Sequence, residues 1–426
     1  MGQVRYRVRG GRPLKGTAFV QGAKNAALPM IAAALLARRG RTVLHNVPLI
    51  SDVRRAVELA RAVGARVELH PAERVLVIDA STVDSAVLPA AIAGRFRGSV
   101  LFLPALLHRL GEARLDGVGG CNLGSRNLDF HYRGFVRLGA TMTAGETSIH
   151  LRAGRLRGAH LYLDTPSHTG TENLIAAACL VPGTTVIENA ALEPEVGDFA
   201  RFLSLMGARI SGVGSGFVQV DGVDGLEAVE YTIMPDRIDA GVLAMAAAAA
   251  GGEVTLVGAV PEHLGVARWK LEQMGVELDS EGAVLEVRRD RPLRPINVIT
   301  CPYPGFATDL QPPLMTLACL AEGTSYIHER IFDGRFALAG ELGRMGASVR
   351  VRDGVAVVEG PTRLRGAEVV AHDLRAGVAL VLAGLAAEGE TLIGAGEMIE
   401  RGHSHIAGRL AALGADVVRE ADPARR

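Results

Sequence analysis

Apolar and polar positions along the chain follow two phrases that repeat from end to end. The first phrase is an apolar residue, Gly, then Ala or Val and alternating apolar residues, as in AVGARVEL around Gly64; its copies are spaced 68 to 75 residues apart. The second is a glycine before a short strand pattern, as in GRTVLHN at Gly40, and it recurs every 66 to 72 residues. The glycines of the two phrases are Gly64, Gly139, Gly207, Gly275, Gly346 and Gly414, and Gly40, Gly111, Gly183, Gly252, Gly323 and Gly389. Such a fixed period predicts a chain built from repeated structural units.

Each unit is predicted to be a strand, helix, strand, helix and strand, and six such units make the chain. The glycine of the first phrase suits a left-handed residue that ends a helix before the next strand. A unit of about 70 residues is large enough to form a packed α/β layer, which predicts an α/β fold with three units in each of two domains. The opening segment RYRVRGG is expected to add a strand to the second domain. The Ala-rich run from Ala240 to Val260 predicts a buried helix and then a strand, because Gly251, Gly252 and Glu253 interrupt it.

Composition excludes several classes of protein. The 426 residues are 48% hydrophobic, which is far from the composition of a disordered chain. Forty-six basic residues balance forty-six acidic ones, so no overall charge attracts nucleic acid or an anionic membrane. Four scattered cysteines without a CxxC pair predict neither a disulfide framework nor a zinc site. No run of apolar residues is long enough to span a bilayer, and we expect a soluble protein in the cytoplasm.

Only three lysines occur, and Lys24 is one of them. It lies in GAKNAALP, where a strand pattern changes to a helical pattern. An ammonium beside the amides of a helix N-terminus is typical of an anion site. A solvated surface lysine is the alternative, because most lysines are exposed.

A glycine-rich stretch, DGVGGCNLGSR, surrounds Cys121 and has the composition of a loop. A loop cysteine near arginines can have a lowered pKa and act as a nucleophile or proton donor. A partly buried thiol without a role is the alternative. Cys179, Cys301 and Cys319 are interpreted as thiols without a catalytic role.

One carboxylate, Asp309, follows the proline-glycine turn of PYPGFATDLQ, ahead of an apolar helix. It is interpreted either as a helix cap or as a functional acid. Arg335, Arg375 and Arg401 lie near corresponding turns of their repeats, which favours a cleft that gathers an anion.

These motifs resemble those of the UDP-N-acetylglucosamine branch of the enolpyruvyl transferase family. The resemblance rests on GAKNAALP, GGCNLGSR, PYPGFATDLQ, DLRAG and ERG, and it covers roughly residues 5 to 420 in the family's order. It implies two inverted α/β barrel-like domains of three repeats each, residues 24–233 and residues 1–23 with 234–426, and an active site in the cleft between them. It also implies transfer of the enolpyruvyl group of phosphoenolpyruvate to the 3-hydroxyl of UDP-N-acetylglucosamine with release of phosphate. That reaction is the first committed step of peptidoglycan precursor synthesis.

The resemblance also assigns roles to residues. It implies Asp309 as the base that accepts the hydroxyl proton, and Cys121 as the acid that protonates the methylene carbon and can hold phosphoenolpyruvate covalently. It implies that the phosphate and carboxylate are held by Lys24, Arg97, Arg126 and Arg401, with help from Arg335, Asp373 and Arg375. The residues implied to contact the UDP-sugar are Asn25, Asn127, Leu128, Asp129, Phe130, Ser167, His168, Thr169 and Ile331. No metal or organic cofactor is implied, and we expect a monomer that binds neither nucleic acid nor a membrane.

The nucleotide region departs from the family. Asn127 stands where the family usually has proline, and His168 and Thr169 stand in PSHTGTEN where it usually reads PSVGATEN. A related protein that uses a different nucleotide or UDP-sugar as acceptor is therefore an alternative. An RNA-end cyclase would be expected to show a basic stripe, and a non-catalytic paralogue would be expected to lose a reacting residue.

Overall fold

The computed structural model describes residues 4–117, 128–145 and 148–422. Cys121, Arg126 and Asn127 lie outside the described residues. The strands are β1 (Val4–Arg9), β2 (Leu14–Phe19), β3 (Thr42–His45), β4 (Arg66–His70), β5 (Val75–Asp79), β6 (Val87–Leu88), β7 (Glu112–Asp116), β8 (Thr141–Ala144), β9 (Ser148–Arg152), β10 (His160–Tyr162), β11 (Thr184–Glu188), β12 (Arg209–Ser211), β13 (Phe217–Asp221), β14 (Glu230–Thr232), β15 (Gly252–Val257), β16 (Glu277–Glu281), β17 (Val284–Arg289), β18 (Asn297–Ile299), β19 (Gly323–His328), β20 (Ser348–Arg352), β21 (Val355–Gly360), β22 (Glu368–Val370), β23 (Glu390–Gly394) and β24 (Asp416–Ala421).

Helices alternate with these strands. The α-helices are α1 (Lys24–Ala33), α2 (Ser51–Ala62), α3 (Ala90–Ala93), α4 (Leu103–Leu110), α5 (Asp129–Arg137), α6 (His168–Ala178), α7 (Pro194–Leu205), α8 (Arg237–Ala250), α9 (Pro261–Leu264), α10 (Val266–Gln273), α11 (Gln311–Leu320), α12 (Leu338–Arg344), α13 (Leu374–Ala386) and α14 (Ile406–Ala412). Short 3₁₀ helices span Ala34–Leu36, Arg97–Phe102, Thr308–Leu310, Asp333–Ala337 and Gly396–Arg401. Of the described residues, no helix has both the length and the apolar character needed to cross a membrane.

Six four-stranded sheets account for all the strands of the described ranges, and every sheet has the same pairing pattern. An edge strand pairs parallel with a second strand, which pairs antiparallel with a third, and the third pairs antiparallel with the other edge. The sheet orders are β14-β3-β5-β4, β6-β7-β9-β8, β10-β11-β13-β12, β16-β17-β15-β2, β18-β19-β21-β20 and β22-β23-β1-β24. The six predicted repeats are thus confirmed, and each has a fourth strand beyond the strand, helix, strand, helix and strand of the sequence pattern.

The described chain divides into two compact units. The first unit runs from Gly22 to Met234, and the second takes the residues up to Gln21 and from Pro235 onward. Each unit contains three of the sheets. The first unit has the three sheets built on β3, β7 and β11, and the second has those built on β15, β19 and β23.

Three central helices form the core of each unit. They are α1, α4 and α6 in the first unit, and α8, α11 and α13 in the second, and within each set the helices contact one another. In α8 every residue except the last, Ala250, is buried, and in α13 the same is true of every residue except Ala386. A helix that is apolar on all sides is stable in water only where other elements cover it. The buried helix and following strand predicted between Ala240 and Val260 are confirmed as α8 and β15.

The glycines of the first repeated phrase follow helices in the left-handed region. Gly139, just after α5, has φ 103°, and a Cβ there would lie 2.4 Å from the carbonyl oxygen of Arg155. Backbone geometry and close approach therefore both require glycine. The φ angles of the six lie between 93° and 111°, at Gly64, Gly139, Gly207, Gly275, Gly346 and Gly414.

The opening segment of the chain lies in the last sheet. Strand β1 pairs antiparallel with β23 on one side and with β24 on the other. The next strand, β2, pairs parallel with β15. The expectation that the start of the chain adds a strand to the second domain is therefore confirmed for the second unit.

Candidate active site

Asp309 lies between two arginines of the second unit. Its Oδ1 accepts a hydrogen bond from Nη2 of Arg335 at 2.9 Å, and its Oδ2 accepts one from Nη2 of Arg375 at 2.7 Å. Both guanidinium groups are almost fully buried, whereas the Asp309 side chain is 26% exposed. Leu310 is the N-cap residue of α11, so Asp309 does not cap that helix. Two buried cations thus hold a carboxylate that solvent still reaches.

Arg335 is packed on several sides. Its Nε donates to Oγ1 of Thr308 at 3.3 Å, and its guanidinium lies over the Phe332 ring at 5.2 Å. Its Nη1 lies 3.6 Å from a carboxylate oxygen of Asp373. These contacts fix the plane of the guanidinium, and a fixed guanidinium loses little freedom when it binds an anion.

Glu329 organises the loops around Arg335. Its two carboxylate oxygens accept hydrogen bonds from the hydroxyls of Thr300 and Thr308 at 2.8 and 2.9 Å. Its Oε1 also accepts from the backbone amides of Ile331 at 2.8 Å and Phe332 at 3.1 Å. Ile331, an expected substrate contact, is therefore held in place through its backbone. The sequence analysis did not single out Glu329, because nothing local in the sequence marks it as buried.

Asp373 and Arg375 lie at the start of α13. Oδ1 of Asp373 accepts from the backbone amides of Arg375 and Ala376 at 2.7 and 3.1 Å, so Asp373 caps the helix. Burial favours the neutral form of Arg375, but Asp309 and Asp236 outweigh this effect and raise its pKa. The group therefore keeps its positive charge in the core.

Two guanidinium nitrogens of this cluster retain unused donor capacity. Nη1 of Arg335 and Nε of Arg375 are buried and have no hydrogen-bond partner among the described residues. Buried donors without partners are costly, and an anionic ligand would satisfy them. Arg401, at the end of the 3₁₀ helix Gly396–Arg401, belongs to the same unit and is 7% exposed. Asp309, Arg335, Asp373 and Arg375 are thus brought together as the sequence analysis expected.

In the first unit, Lys24 begins α1 and Asn25 follows it. The Nζ of Lys24 lies 2.7 Å from Oδ2 of Asp52, whose Oδ1 accepts from Nη1 of Arg55 at 2.8 Å. The Lys24 side chain is 12% exposed and that of Asp52 is 4% exposed. Lys24 is therefore not a solvated surface lysine. Asp52 is an ion-pair partner of Lys24 that sequence reasoning missed, because an acidic residue in the first turn of α2 is also what helix stability favours.

Arg97 begins the 3₁₀ helix Arg97–Phe102 and acts electrostatically on His131 of α5. Burial and the positive charge of Arg97 lower the pKa of His131 to about 3. The Nδ2 of Asn173 lies 2.8 Å from Nδ1 of His131, which makes this ring nitrogen the acceptor. The imidazole beside Arg97 is therefore neutral with its proton on Nε2.

The residues expected to contact the nucleotide begin two helices. Asp129 and Phe130 lie in the first turn of α5, directly after the partly buried Leu128. Arg133 lies over the Phe130 ring at 5.4 Å, and Phe130 lines a surface pocket of about 250 Å³ with Tyr162. Phe130 therefore offers a ring at the wall of a pocket.

The start of α6 carries the unusual His168. Ser167 caps the helix, and its hydroxyl accepts from the amide of Gly170 at 3.1 Å. Thr169 follows as the second helical residue. The Nε2 of His168 lies 3.3 Å from Oε1 of Glu172, which is fully buried. Burial, Glu195 and Glu193 raise the pKa of Glu172 well above its usual value.

The other cysteines differ in burial. Burial raises the pKa of both Cys179 and Cys319 to about 12, which keeps these thiols protonated. Cys301 is partly buried. The three are free thiols, and the interpretation that they have no catalytic role stays a prediction. Cys121 lies outside the described residues.

Residues 8–410 match the family described as EPSP synthase (3-phosphoshikimate 1-carboxyvinyltransferase). A protein family model that covers nearly the whole chain, together with six sheets of one topology, defines the class. The chain belongs to the EPSP synthase family of carboxyvinyltransferases, also called enolpyruvyl transferases.

Within that class, the similar proteins belong to one narrower group, the UDP-N-acetylglucosamine 1-carboxyvinyltransferases, and to related enzymes. The chain is 67% identical to the UDP-N-acetylglucosamine 1-carboxyvinyltransferase of Thermobifida fusca (strain YX), over 99% of each sequence. It is 45% identical to UDP-N-acetylglucosamine 1-carboxyvinyltransferase 2 of Symbiobacterium thermophilum, over 98% of each sequence. The crystal structure of the enolpyruvyl transferase NikO from Streptomyces tendae is similar with a TM-score of 0.89 and 29% identity, over 99% of this chain and 100% of that one. The family resemblance of the sequence motifs is thereby confirmed.

Proposed function

We propose that the protein is an enzyme which transfers the carboxyvinyl group of phosphoenolpyruvate to the 3-hydroxyl of UDP-N-acetylglucosamine and releases phosphate. The observation that carries the proposal is the 67% identity, along the full length of both chains, to a UDP-N-acetylglucosamine 1-carboxyvinyltransferase. The product begins peptidoglycan precursor synthesis. We place the enzyme in the cytoplasm, where cells make phosphoenolpyruvate and nucleotide sugars.

The reaction has two halves. In the first, the acceptor oxygen bonds to C2 of phosphoenolpyruvate, the hydroxyl proton leaves to a base, and C3 gains a proton from an acid. In the second, C3 loses a proton and the bond from C2 to the phosphate oxygen breaks. The sum is one enolpyruvyl ether and one phosphate for each pair of substrates. The chemistry therefore requires a base, an acid and cations for two anionic groups.

Asp309 is the proposed base. Its carboxylate is partly exposed, and Arg335 and Arg375 orient it by binding one carboxylate oxygen each. A base must lie within hydrogen-bond reach of the proton that it takes, and orientation from two sides supports that placement. Cys121 is the proposed acid, and this assignment rests on the resemblance of its sequence motif to that of the family.

The proposed cations are Lys24, Arg97, Arg126, Arg335, Arg375 and Arg401. Nη1 of Arg335 and Nε of Arg375, which make no hydrogen bond among the described residues, support an anion there. On the acceptor side, the proposed contacts are Asn25, Asn127, Leu128, Asp129, Phe130, Ser167, His168, Thr169 and Ile331, and Asp373 caps α13 beneath Arg375. The position of Phe130 at a pocket wall and the capped helix start at Ser167 support the assignments on α5 and α6.

The test is phosphate release by the purified protein with phosphoenolpyruvate and one acceptor at a time. The acceptors are UDP-N-acetylglucosamine, UDP-N-acetylgalactosamine, UDP-glucose, UMP and shikimate 3-phosphate. Release with UDP-N-acetylglucosamine above all others is the expected result. Release with another acceptor only would keep the transferase chemistry and move the protein to a different pathway. Absence of release with every acceptor would favour a binding protein that lacks activity.

A further inference from the structure

A buried histidine lies behind the arginine that holds Asp309. His403 follows the 3₁₀ helix Gly396–Arg401 and is 1% exposed. Its Nε2 lies 3.2 Å from Nη1 of Arg375, and its Nδ1 lies 3.5 Å from Oδ1 of Asp239 on α8. The same guanidinium uses Nη2 to bind Asp309 at 2.7 Å. His403 and Asp309 are thus held by the two terminal nitrogens of one arginine.

The partners determine which ring nitrogen carries the proton. A guanidinium has only donors, so the contact with Arg375 requires an acceptor at Nε2 of His403. A neutral imidazole has one acceptor and one donor, so the proton is on Nδ1, facing the Asp239 carboxylate. A protonated ring would present a donor to a donor and place a second positive charge beside Arg375. The geometry works only with a neutral His403.

Asp239 is held as firmly as the ring is. Both of its oxygens bind Arg409, at 2.9 and 2.6 Å, and its Oδ2 also accepts from the backbone amide of Gln21 at 3.2 Å. Burial alone raises the pKa of Asp239, but Arg409 and His403 outweigh burial and hold it below its usual range. The carboxylate is therefore charged and stationary behind the imidazole.

The backbone on either side of His403 is also fixed. The side-chain amide of Gln21 donates to the carbonyl oxygen of Gly402 at 3.0 Å and accepts from the amide of Ser404 at 2.9 Å. The imidazole therefore cannot follow Arg375 if the guanidinium moves. The fixed imidazole therefore restricts the position of the Arg375 guanidinium.

The charged groups that face the ring are Arg375, Asp239 and Arg409. Burial is the largest cause that lowers the pKa of His403, to about 4, and the two arginines add to it while Asp239 opposes it. The ring therefore stays neutral across the range in which enzymes are usually assayed.

We propose that His403 is a positioning residue, which accepts a hydrogen bond from Arg375 at Nε2 and so aims the guanidinium of Arg375 at the Asp309 carboxylate. The inference rests on the proposed function, because it concerns the residue proposed as the base. Nothing in the motif resemblance assigns a role to His403 or Asp239.

The experiment compares two isosteric amides. In His403→Gln the amide oxygen reaches the place of Nε2 and can accept from Arg375, whereas in His403→Asn the amide reaches only the place of Nδ1. The free energy of a hydrogen bond to a charged group corresponds to a factor of roughly ten or more in rate. We therefore expect kcat of His403→Asn to fall by about that factor. We expect His403→Gln to stay within about threefold of the parent, with KM for both substrates changed less than kcat in either variant.

A matched control is His108→Asn. His108 is a partly buried histidine, and its Nε2 lies 2.7 Å from the carbonyl oxygen of Ala177 in the first unit. This variant is expected to lower the melting temperature and leave kcat of the folded enzyme unchanged. Equal kcat for the Asn and Gln variants of His403, with both proteins folded, would overturn the proposal.

A second measurement does not need activity. The ¹⁵N spectrum of histidine-labelled parent protein reports the protonated ring nitrogen, and His403→Gln identifies the signal. A neutral ring with its proton on Nδ1 is expected between pH 5 and 8, and a proton on Nε2 would overturn the proposal. If the parent fails to release phosphate with every acceptor, the proposed function fails, and this spectrum still decides whether Nε2 of His403 is unprotonated and so able to accept a hydrogen bond from Arg375.

Discussion

Asp309 and Arg375 share a hydrogen bond of 2.7 Å although 66 residues separate them in the chain. Arg375 comes from the first turn of α13, and Asp309 from the 3₁₀ helix that leads into α11. These two helices pack against each other in the core of the second unit. Equivalent turns of successive repeats are thus brought side by side, which places charged side chains close together at the starts of the central helices.

Replacing Asp309 with Asn keeps the volume of the side chain and removes its charge. We expect kcat for phosphate release to fall on the order of 10²-fold or more, because a positioned base contributes about that much. KM is expected to change less, since the base acts in the transition state. Asp353→Asn, at an exposed carboxylate of the same unit, is the control and should behave as the parent. A change in KM alone would make Asp309 a binding group.

Lys24 can be tested against another lysine. Lys24→Gln is expected to lower kcat/KM for phosphoenolpyruvate by roughly 10- to 100-fold, the range of a lost charge-assisted hydrogen bond. Lys270→Gln is the matched control, because Lys270 is partly exposed and donates to the carbonyl oxygen of Asn297 at 2.9 Å. Steady-state kinetics at varied phosphoenolpyruvate give the comparison. Equal effects of the two substitutions would contradict an anion-binding role for Lys24.

Thiol chemistry distinguishes Cys121 from the other cysteines. Because burial keeps Cys179 and Cys319 protonated, we expect the epoxide fosfomycin to alkylate Cys121 only. Intact mass and peptide mapping measure the adduct. Cys121→Asp should lose the adduct and retain turnover, because aspartic acid still donates a proton. An adduct on the partly buried Cys301 would refute the assignment, and Cys301→Ser serves as the control.

The lowered pKa of His131 predicts how the free energy of unfolding depends on pH. Its pKa is about 3 in the folded protein, against 6.5 for an ordinary histidine, so the unfolded chain takes up a proton first as the pH falls. The stability that the neutral ring contributes is complete above about pH 6.5 and is lost as the pH falls toward 3. His131→Asn removes this dependence and retains an acceptor for Asn173.

Urea denaturation at pH 7, 6, 5 and 4 measures the effect. The difference in unfolding free energy between parent and His131→Asn is expected to shrink by up to about 1.4 kcal/mol for each pH unit below 6. His160→Asn, at an exposed histidine, is the control for the substitution itself. A constant difference would show that His131 titrates normally in the folded protein.

The repeats and the central helices could be predicted from the sequence because their signals are local. Gly64 and the glycines at equivalent positions mark the ends of helices, and the apolar run of α8 marks a helix that must be covered. Local signals also singled out Lys24 and Asp309, each at a change from one sequence pattern to another, and the roles of the two residues stay predictions.

Partners that meet from distant parts of the chain could not be predicted in this way. Asp52 approaches Lys24 from the next helix, and Glu329 collects amides and hydroxyls from separate loops. His403 meets Asp239 across 164 residues of sequence. Each of these residues has an ordinary local context, and only the folded chain shows that it is buried and which groups it contacts.

The central position of β1 in the last sheet affects how the protein is made. A ribosome synthesises β1 and β2 before the first unit, but their partners β15, β23 and β24 begin only at residue 252 and beyond. Residues 22–234, in contrast, contain all the strands of their own three sheets and can fold as soon as they emerge. Strands β1 and β2 must therefore wait for strands made much later, and the second unit is complete only after β24 has been made.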